Sequence, residues 1–291
     1  MLGHPDPIRR SGTPQAMSDI GAILRDLHRP GDPFVLANAW DAGTARVLAA
    51  LGAEAIGTTS AGFAFTLGLP DGARIGRDEA LAHAETLVAA TSLPVSGDLE
   101  NGYSAAPDGV AETIRLAAKA GLAGASIEDT DLPGTGAYDF ELAVERIRAA
   151  ASAARDLPRD FVLVARADGL LHGSYDLNEA TRRIRAFAAA GADCVYIPGL
   201  PDLAAVHAVT ATVPGPGNVL AAGPMTALTR AELAAAGAAR ISLGSTLARV
   251  THAALRETAR EVLGAGDFCR LATGASGAEV DAMLQRAITA G

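Results

Sequence analysis

The chain repeats one alternation from about residue 34 to about residue 250: a short apolar run, then an alanine-rich segment with helical spacing. The apolar runs are too short for helices, so they predict strands. There are eight such runs, at residues 34–37, 55–59, 94–100, 124–128, 161–165, 194–197, 219–222 and 240–243. Because a helical segment follows each run over a short link, the pattern predicts a (β/α)8 TIM-type barrel.

The two ends of the chain extend beyond this repeat. Residues 1–16 predict a loosely ordered tail, and residues 17–291 a single barrel domain, with Ser18 capping a first helix that runs to about His28. After the eighth strand, residues 245–263 and 277–288 predict two further helices. A barrel does not need them, so we expect the C-terminal helix to pack on another subunit.

Composition excludes several functions. The formal charge of −9 leaves no basic surface for nucleic acid. No apolar run reaches the roughly 18 residues of a membrane span, and none near the start resembles a secretory signal. Cys194 and Cys269 are too few for a disulfide framework, so we expect a cytoplasmic protein. The single lysine, Lys119, ends the helix before the fourth strand, on the face opposite the barrel mouth, which excludes Schiff-base catalysis.

Carboxylates follow three neighbouring strands where the active site of such a barrel lies. Asp98 and Glu100 end the third strand, and their spacing places both on one side of it. Glu128 and Asp129 end the fourth strand, and Arg166 and Asp168 end the fifth. Carboxylates this close repel each other unless a cation lies among them, and an all-oxygen set suits Mg²⁺. For Asp129 and Asp168, a structural role as caps or solvated charges remains open.

Five segments together resemble the isocitrate lyase/phosphoenolpyruvate mutase superfamily: residues 67–71, 97–103, 126–129, 165–168 and 191–193. The resemblance implies an α/β barrel whose C-terminal helix is swapped between the subunits of a homodimer or homotetramer. It also implies a bound Mg²⁺, with Mn²⁺ as the alternative ion, and a small 2-oxo or 2-hydroxy acid as substrate.

The same resemblance implies roles for individual residues. Arg166 and Glu128 match catalytic positions. The metal positions are matched by Asp71, Asp98, Glu100 and Glu128, and the substrate-binding positions by Thr59, Ser60, Ala61, Asp71 and Arg166.

The loop after the fourth strand departs from the family. Residues 129–138 contain no cysteine, lysine or histidine, which the lyases use there, and Gly134 and Gly136 stand where the mutases place a lysine and an asparagine. Tyr138 is therefore the candidate substitute proton donor. His172, in the loop after the fifth strand, is a second candidate, although an exposed loop histidine usually has no catalytic role.

These observations predict a Mg²⁺-dependent lyase that breaks a C–C bond of a small 2-oxo or 2-hydroxy acid through a pyruvate-type enolate. A metal ion and fixed dipoles stabilise the negative charge of such a species. Two alternatives remain: hydrolysis of the P–C bond of phosphonopyruvate, and a non-catalytic relic that binds a dicarboxylate.

Overall fold

Eight parallel strands close into a barrel in the order of the sequence, with β8 pairing back to β1. The computed structural model describes residues 19–72 and 75–289, with side chains up to residue 286. The strands are β1 (Phe34–Asn38), β2 (Ala55–Gly57), β3 (Val95–Asp98), β4 (Gly124–Glu128), β5 (Val162–Arg166), β6 (Cys194–Tyr196), β7 (Gly217–Leu220) and β8 (Arg240–Ser242). The predicted eight-stranded barrel is confirmed.

Helices surround this barrel, because their alanine-rich faces cover the outward side chains of the strands. They are α1 (Ile20–Leu27), α2 (Ala42–Ala50), α3 (Ser60–Thr66), α4 (Arg77–Val88), α5 (Pro107–Lys119), α6 (Phe140–Arg155), α7 (Gly169–His172), α8 (Leu177–Ala190), α9 (Leu203–Thr210), α10 (Arg230–Ala235), α11 (Thr246–Arg260) and α12 (Gly277–Thr289). In the part of the chain that the structure describes, no helix combines the length and apolar character needed to cross a bilayer.

The described part of the chain begins at Asp19, directly before α1. The expected tail over residues 1–16 and the expected cap at Ser18 lie outside the described residues. Within them, Asp19 is the N-cap of α1, and its side chain accepts hydrogen bonds from the amides of Gly21 and Ala22. The helix ends at Leu27, one residue before the predicted end.

Helix α1 closes the amino end of the barrel. Leu24 is fully buried in a cluster with Phe34, Val162 and Cys194, which lie at the starts of β1, β5 and β6. The helix can lie this close because residue 21 is glycine, where a Cβ would stand 1.8 Å from the carbonyl oxygen of Asp160. The barrel is therefore sealed at one end and open to ligands at the other.

Two short helices were missed by the sequence analysis, since α3 and α7 lie in links that were read as loops. Both are too short to show a hydrophobic period. The predicted long helix over residues 245–263 is instead α11 followed by a π-helical turn, Glu261–Ala265. Helix α12 lies against α2 of its own chain, and the swap of this helix between subunits stays a prediction.

The seal formed by α1 yields a first prediction. Leu24→Ala should lower the free energy of unfolding by about 2–5 kcal/mol, because it leaves a cavity in a packed interior. Denaturant unfolding of the two proteins measures this. The matched control is Ile23→Ala in the same helix, where the side chain is 39% exposed and the cost should stay below about 1 kcal/mol. Equal losses in both variants would show that α1 does not seal the barrel.

Candidate active site at the barrel mouth

A cavity of about 480 Å³ opens at the carboxyl ends of the strands and reaches down into the barrel. We call it the mouth cavity. It brings together nearly all the residues that the sequence analysis selected. Those that line it are Thr59, Ser60, Ala61, Asp71, Asp98, Glu100, Glu128, Arg166, Asp168 and His172. Tyr138 is not among them.

Arg166 is the centre of the site. Its Nη1 donates to Asp98 at 2.7 Å, its Nη2 lies 3.2 Å from the Glu128 carboxylate, and its Nε and Nη2 both bind Asp168, at 3.0 and 2.5 Å. Burial lowers the pKa of Arg166, but the charges of Asp168, Glu128 and Asp98 outweigh it and hold that pKa well above its ordinary value. One guanidinium thus binds the acids at the ends of β3 and β4 and the acid that follows β5.

Asp98 joins the third strand to the second. Its Oδ2 accepts hydrogen bonds from the amide and the hydroxyl of Ser60, both at 3.0 Å. Its own amide donates to the Thr58 hydroxyl at 2.7 Å, and Ser126 donates to Oδ1 at 3.3 Å. The carboxylate is therefore held by Ser60 of α3, Ser126 of β4 and Arg166 of β5. Thr58 and Ser126 are site residues that the sequence analysis did not select.

Glu100 reaches the mouth for a different reason from the predicted one. Strand β3 ends at Asp98, and Glu100 has a left-handed backbone with φ of 48°. A turn, rather than strand alternation, directs its side chain. Burial, together with the charges of Asp98 and Asp71, raises the pKa of Glu100 to about 7.

The predicted substrate loop is the first turn of α3. Thr59 is the N-cap of this helix, and its hydroxyl accepts from the Gly62 amide at 3.2 Å. The amide and the hydroxyl of Ser60 both bind Asp98. In the first turn of α3, the Ala61 amide therefore remains as a donor for a ligand. A first-turn amide has no acceptor within its helix.

Asp129 has a structural role. It is 2% exposed and accepts hydrogen bonds from the Asp168 amide, the Tyr175 hydroxyl and Arg183, at 2.9, 2.8 and 2.9 Å. Burial still raises its pKa above the ordinary value. This network fixes the start of the loop between β4 and α6, which folds back on itself through a bridge between Thr130 and Ala137.

Tyr138 fixes the end of the same loop. Its hydroxyl accepts from the Asn101 amide at 3.0 Å, its carbonyl accepts from Arg183 at 2.8 Å, and the Arg146 guanidinium lies 4.0 Å from its ring centre. The side chain is buried and does not line the mouth cavity; it lines a neighbouring cavity that shares Glu100, Leu132 and Pro133 with it. Residues 132–135, at the tip of the loop, are the ones that line the cavity.

The nucleophiles that composition allowed are remote or inert. Lys119 is exposed at the last position of α5, before β4 begins, and so lies at the closed end of the barrel. Cys194 is buried in the barrel interior, where burial raises the pKa of its thiol to about 12. Neither residue lines the mouth cavity.

The carboxylates that line the mouth cavity are suitable ligands for a hard divalent ion. Asp71, Asp98, Glu100 and Glu128 present only carboxylate oxygens to the cavity. Among the described residues, no three His, Cys, Asp or Glu side chains converge as a ready cation cage. Mg²⁺ needs no such cage, because it usually takes one or two carboxylates and keeps several waters. The residues therefore fit Mg²⁺ better than an ion that requires a closed protein site.

Comparisons with known proteins agree with this geometry. The model of the phosphoenolpyruvate phosphomutase family matches residues 24–263. A structure from Burkholderia cenocepacia J2315, described as a lyase/mutase candidate, is 47% identical, covers 90% of this chain and 94% of its own, and has a TM-score of 0.85.

The relatives with named activities include two enzymes whose names specify small organic acids. The 2,3-dimethylmalate lyase of Eubacterium barkeri is 31% identical over 74% of this chain and 76% of its own. The structure of an oxaloacetate acetylhydrolase with its product oxalate is 27% identical, covers 93% and 96% of the two chains, and has a TM-score of 0.81.

The extent of the family match, with the acids and the arginine at one barrel mouth, settles the classification. The chain belongs to the phosphoenolpyruvate mutase family, within an enzyme superfamily whose named members are lyases and mutases that act on small organic acids.

Proposed function

We propose that this protein is a Mg²⁺-dependent lyase that breaks a C–C bond of a small 2-oxo or 2-hydroxy acid through a pyruvate-type enolate. The observation that carries the proposal is the mouth cavity, where five carboxylates and Arg166 face one space large enough for such an acid. Its relatives act on dimethylmalate and oxaloacetate, which are acids of this class. A cytoplasmic location is part of the proposal, because both cysteines are free thiols.

Asp71, Asp98, Glu100 and Glu128 are the residues that would hold Mg²⁺, or Mn²⁺ in its place. When bound, the ion acts as a Lewis acid toward the C1 carboxylate and the C2 oxygen of the substrate.

The chain's own groups bind and orient the acid. Arg166 offers the Nη1 hydrogen that Asp98 now accepts, and a substrate carboxylate can replace Asp98 there as a charge-assisted acceptor. The Ala61 amide adds a fixed dipole at the other side of the cavity. In decarboxylation of a 2-oxo acid such as oxaloacetate, the electron pair of the C3–C4 bond stays on C3, the C4 carboxylate leaves as CO2, and negative charge grows on the C2 oxygen between these donors.

The loop between β4 and α6 contains no cysteine, lysine or histidine. This favours a reaction that needs little proton assistance from that loop. Decarboxylation and retro-aldol cleavage meet this condition. Hydrolysis of phosphonopyruvate is the second candidate, favoured by the match to the phosphomutase family model. Gly134 and Gly136 provide no side chain to bind the phosphoryl group that leaves the carbon.

A substrate panel with one variant pair tests the proposal. We expect oxaloacetate, methylisocitrate, dimethylmalate or a related acid to give pyruvate or another enolate-derived product with Mg²⁺, and none with a chelator present. Asp98→Ala should lower kcat/KM by about 100-fold or more, because it removes a proposed metal ligand. Asp108→Asn, an exposed acid at the start of α5, is the control and should leave the rate unchanged.

The outcomes of this panel separate the candidates. Phosphate release from phosphonopyruvate would make the P–C hydrolase the correct assignment. Calorimetric binding of a dicarboxylate without product would indicate the relic. Unchanged metal binding and turnover in Asp98→Ala would refute the proposed site.

The proton donor gives a separate prediction. Tyr138 is buried outside the cavity, so we propose that His172, which lines the cavity, returns the proton to the product. Tyr138→Phe should change kcat less than about 10-fold, whereas His172→Gln should lower it about 100-fold, the usual worth of a general acid. Steady-state rates measure both. A larger loss in Tyr138→Phe at unchanged stability would return that role to Tyr138.

We also propose that the protein is a homodimer or homotetramer assembled through its C-terminal arm, residues 246–289. This arm exposes large apolar side chains, which monomeric surfaces seldom gather in one region: Val250, Leu255, Leu263, Phe268 and Leu271.

Sedimentation should therefore give a mass of two or four times 29.4 kDa. Leu263→Glu combined with Phe268→Glu should shift the mass toward one chain, because each places a charge in an apolar contact. Ser152→Glu, exposed on α6, is the control and should not change it. A monomeric wild type would refute the assembly.

A further inference from the structure

A second arginine lies at the floor of the mouth cavity, below the acids. Arg240 is the first residue of β8 and pairs in register with Phe34 of β1 and Asn218 of β7. It is 5% exposed and lines the same cavity as Asp98 and Arg166. The Arg240 guanidinium thus lies inside the barrel, on the side of Ser242 that faces the closed end.

The guanidinium of Arg240 lacks partners that its buried counterparts have. Its Nε and Nη1 are buried, and no described residue accepts a hydrogen bond from either. Arg183, by contrast, binds Asp129 and Glu179, and Arg146 donates to the carbonyls of Glu128, Asn101 and Ser104. A buried charge without a partner is costly, so Arg240 is the exception that needs an explanation.

The groups around Arg240 do not neutralise it. Burial, with the positive charge of Arg240, lowers the pKa of His28 to about 3, so this imidazole is neutral. Burial raises the pKa of Cys194 to about 12 and raises that of Tyr196, so both of these are neutral too. The carboxylate in electrostatic range is Asp98, which is already bound to Arg166 and Ser60.

Hydroxyl groups in the same cavity complete the surroundings. The Ser96 hydroxyl is buried without a partner among the described residues, whereas the Ser242 hydroxyl accepts from the Asn218 amide at 2.9 Å and is hydrogen-bonded to Tyr196. The Oδ1 of Asn218 is also buried without a described partner, but Asn218 lines a different cavity. The floor of the mouth cavity therefore offers a ligand the positive charge of Arg240, its Nε and Nη1 hydrogens and the Ser96 hydroxyl, all of which can donate.

We infer that Arg240 binds an anion at the floor of the mouth cavity: a carboxylate or a halide-sized inorganic anion. A carboxylate would come from the substrate itself, as the group farthest from the metal positions, and would favour dicarboxylic over monocarboxylic acids. That source rests on the function proposed above. A free halide would instead be a structural ion, independent of the reaction.

Bromide provides a direct test on the wild-type protein. Crystals soaked in bromide should show an anomalous peak beside Arg240. The melting temperature should rise with bromide and chloride, by roughly 5 °C at 100 times the Kd, and should not rise with the bulky anion gluconate at the same ionic strength.

Two variants separate charge from shape. Arg240→Met fills the site without charge, and its melting temperature should not respond to halide. Replacing a buried charge by an apolar side chain is often neutral for stability, so we expect this variant to fold. Arg240→Lys keeps the charge and should retain part of the response. Should Arg240→Met fail to fold, the bromide peak and the Lys variant still decide the question.

A second arm identifies the source of the anion. If the substrate supplies it, malonate and oxaloacetate should bind the wild type about 10-fold or more tighter than Arg240→Met, pyruvate should bind both equally, and chloride should compete with the dicarboxylates. If a free ion supplies it, chloride should instead leave dicarboxylate binding unchanged or strengthen it. Both results support the anion site.

The inference is overturned if no bromide peak lies at Arg240, halides do not stabilise the wild type, and dicarboxylates bind Arg240→Met as tightly as the wild type. These readouts do not need turnover. If the protein turned over no acid, the proposed function would be refuted. The bromide, melting and binding measurements would still decide whether the anion site exists.

Discussion

The ion pairs around Arg166 hold the mouth of the barrel together. Strands β3 and β4 end in Asp98 and Glu128, and Asp168 follows the end of β5. These acids would repel each other, and one guanidinium compensates all three. Ser60 and Thr58 then tie Asp98 to β2 and α3. The acids are therefore held in place by Arg166 as well as by the strands that carry them. A ligand that binds Arg166 must take over contacts that the acids now make, so substrate binding and the arrangement of the acids are linked.

Much of this site could be predicted from the sequence because the fold is periodic. Once eight strand–helix units are counted, the barrel rule places strand-terminal residues such as Asp98, Glu128 and Arg166 at one face. Glu100 shows where that reasoning stops. Alternation along a strand predicted its location, but a left-handed turn after β3 produces it. Local conformations of this kind leave no period in the sequence.

Pairing across the barrel could not be predicted for a different reason. Which acid binds which arginine depends on residues that lie far apart in the chain, 68 positions for Arg166 with Asp98 and 54 for Arg183 with Asp129. Tyr138 was selected because it lies in the loop at the mouth, yet packing against Arg146 and Asn101 turns it inward. Arg240 lies at the start of the predicted eighth strand, and its isolation becomes visible only with the interior assembled.

The loop between β4 and α6 is anchored at both ends, and the residues at its tip are exposed or half-buried. Asp129 and Tyr138 are fixed by buried contacts with Arg183, whereas residues 132–135 touch the cavity and contribute little to the core. The chemistry at the tip is thus separated from the folding of the barrel. Substitutions there can change the reaction while the melting behaviour stays the same, which gives a lineage freedom to exchange substrates without rebuilding its scaffold.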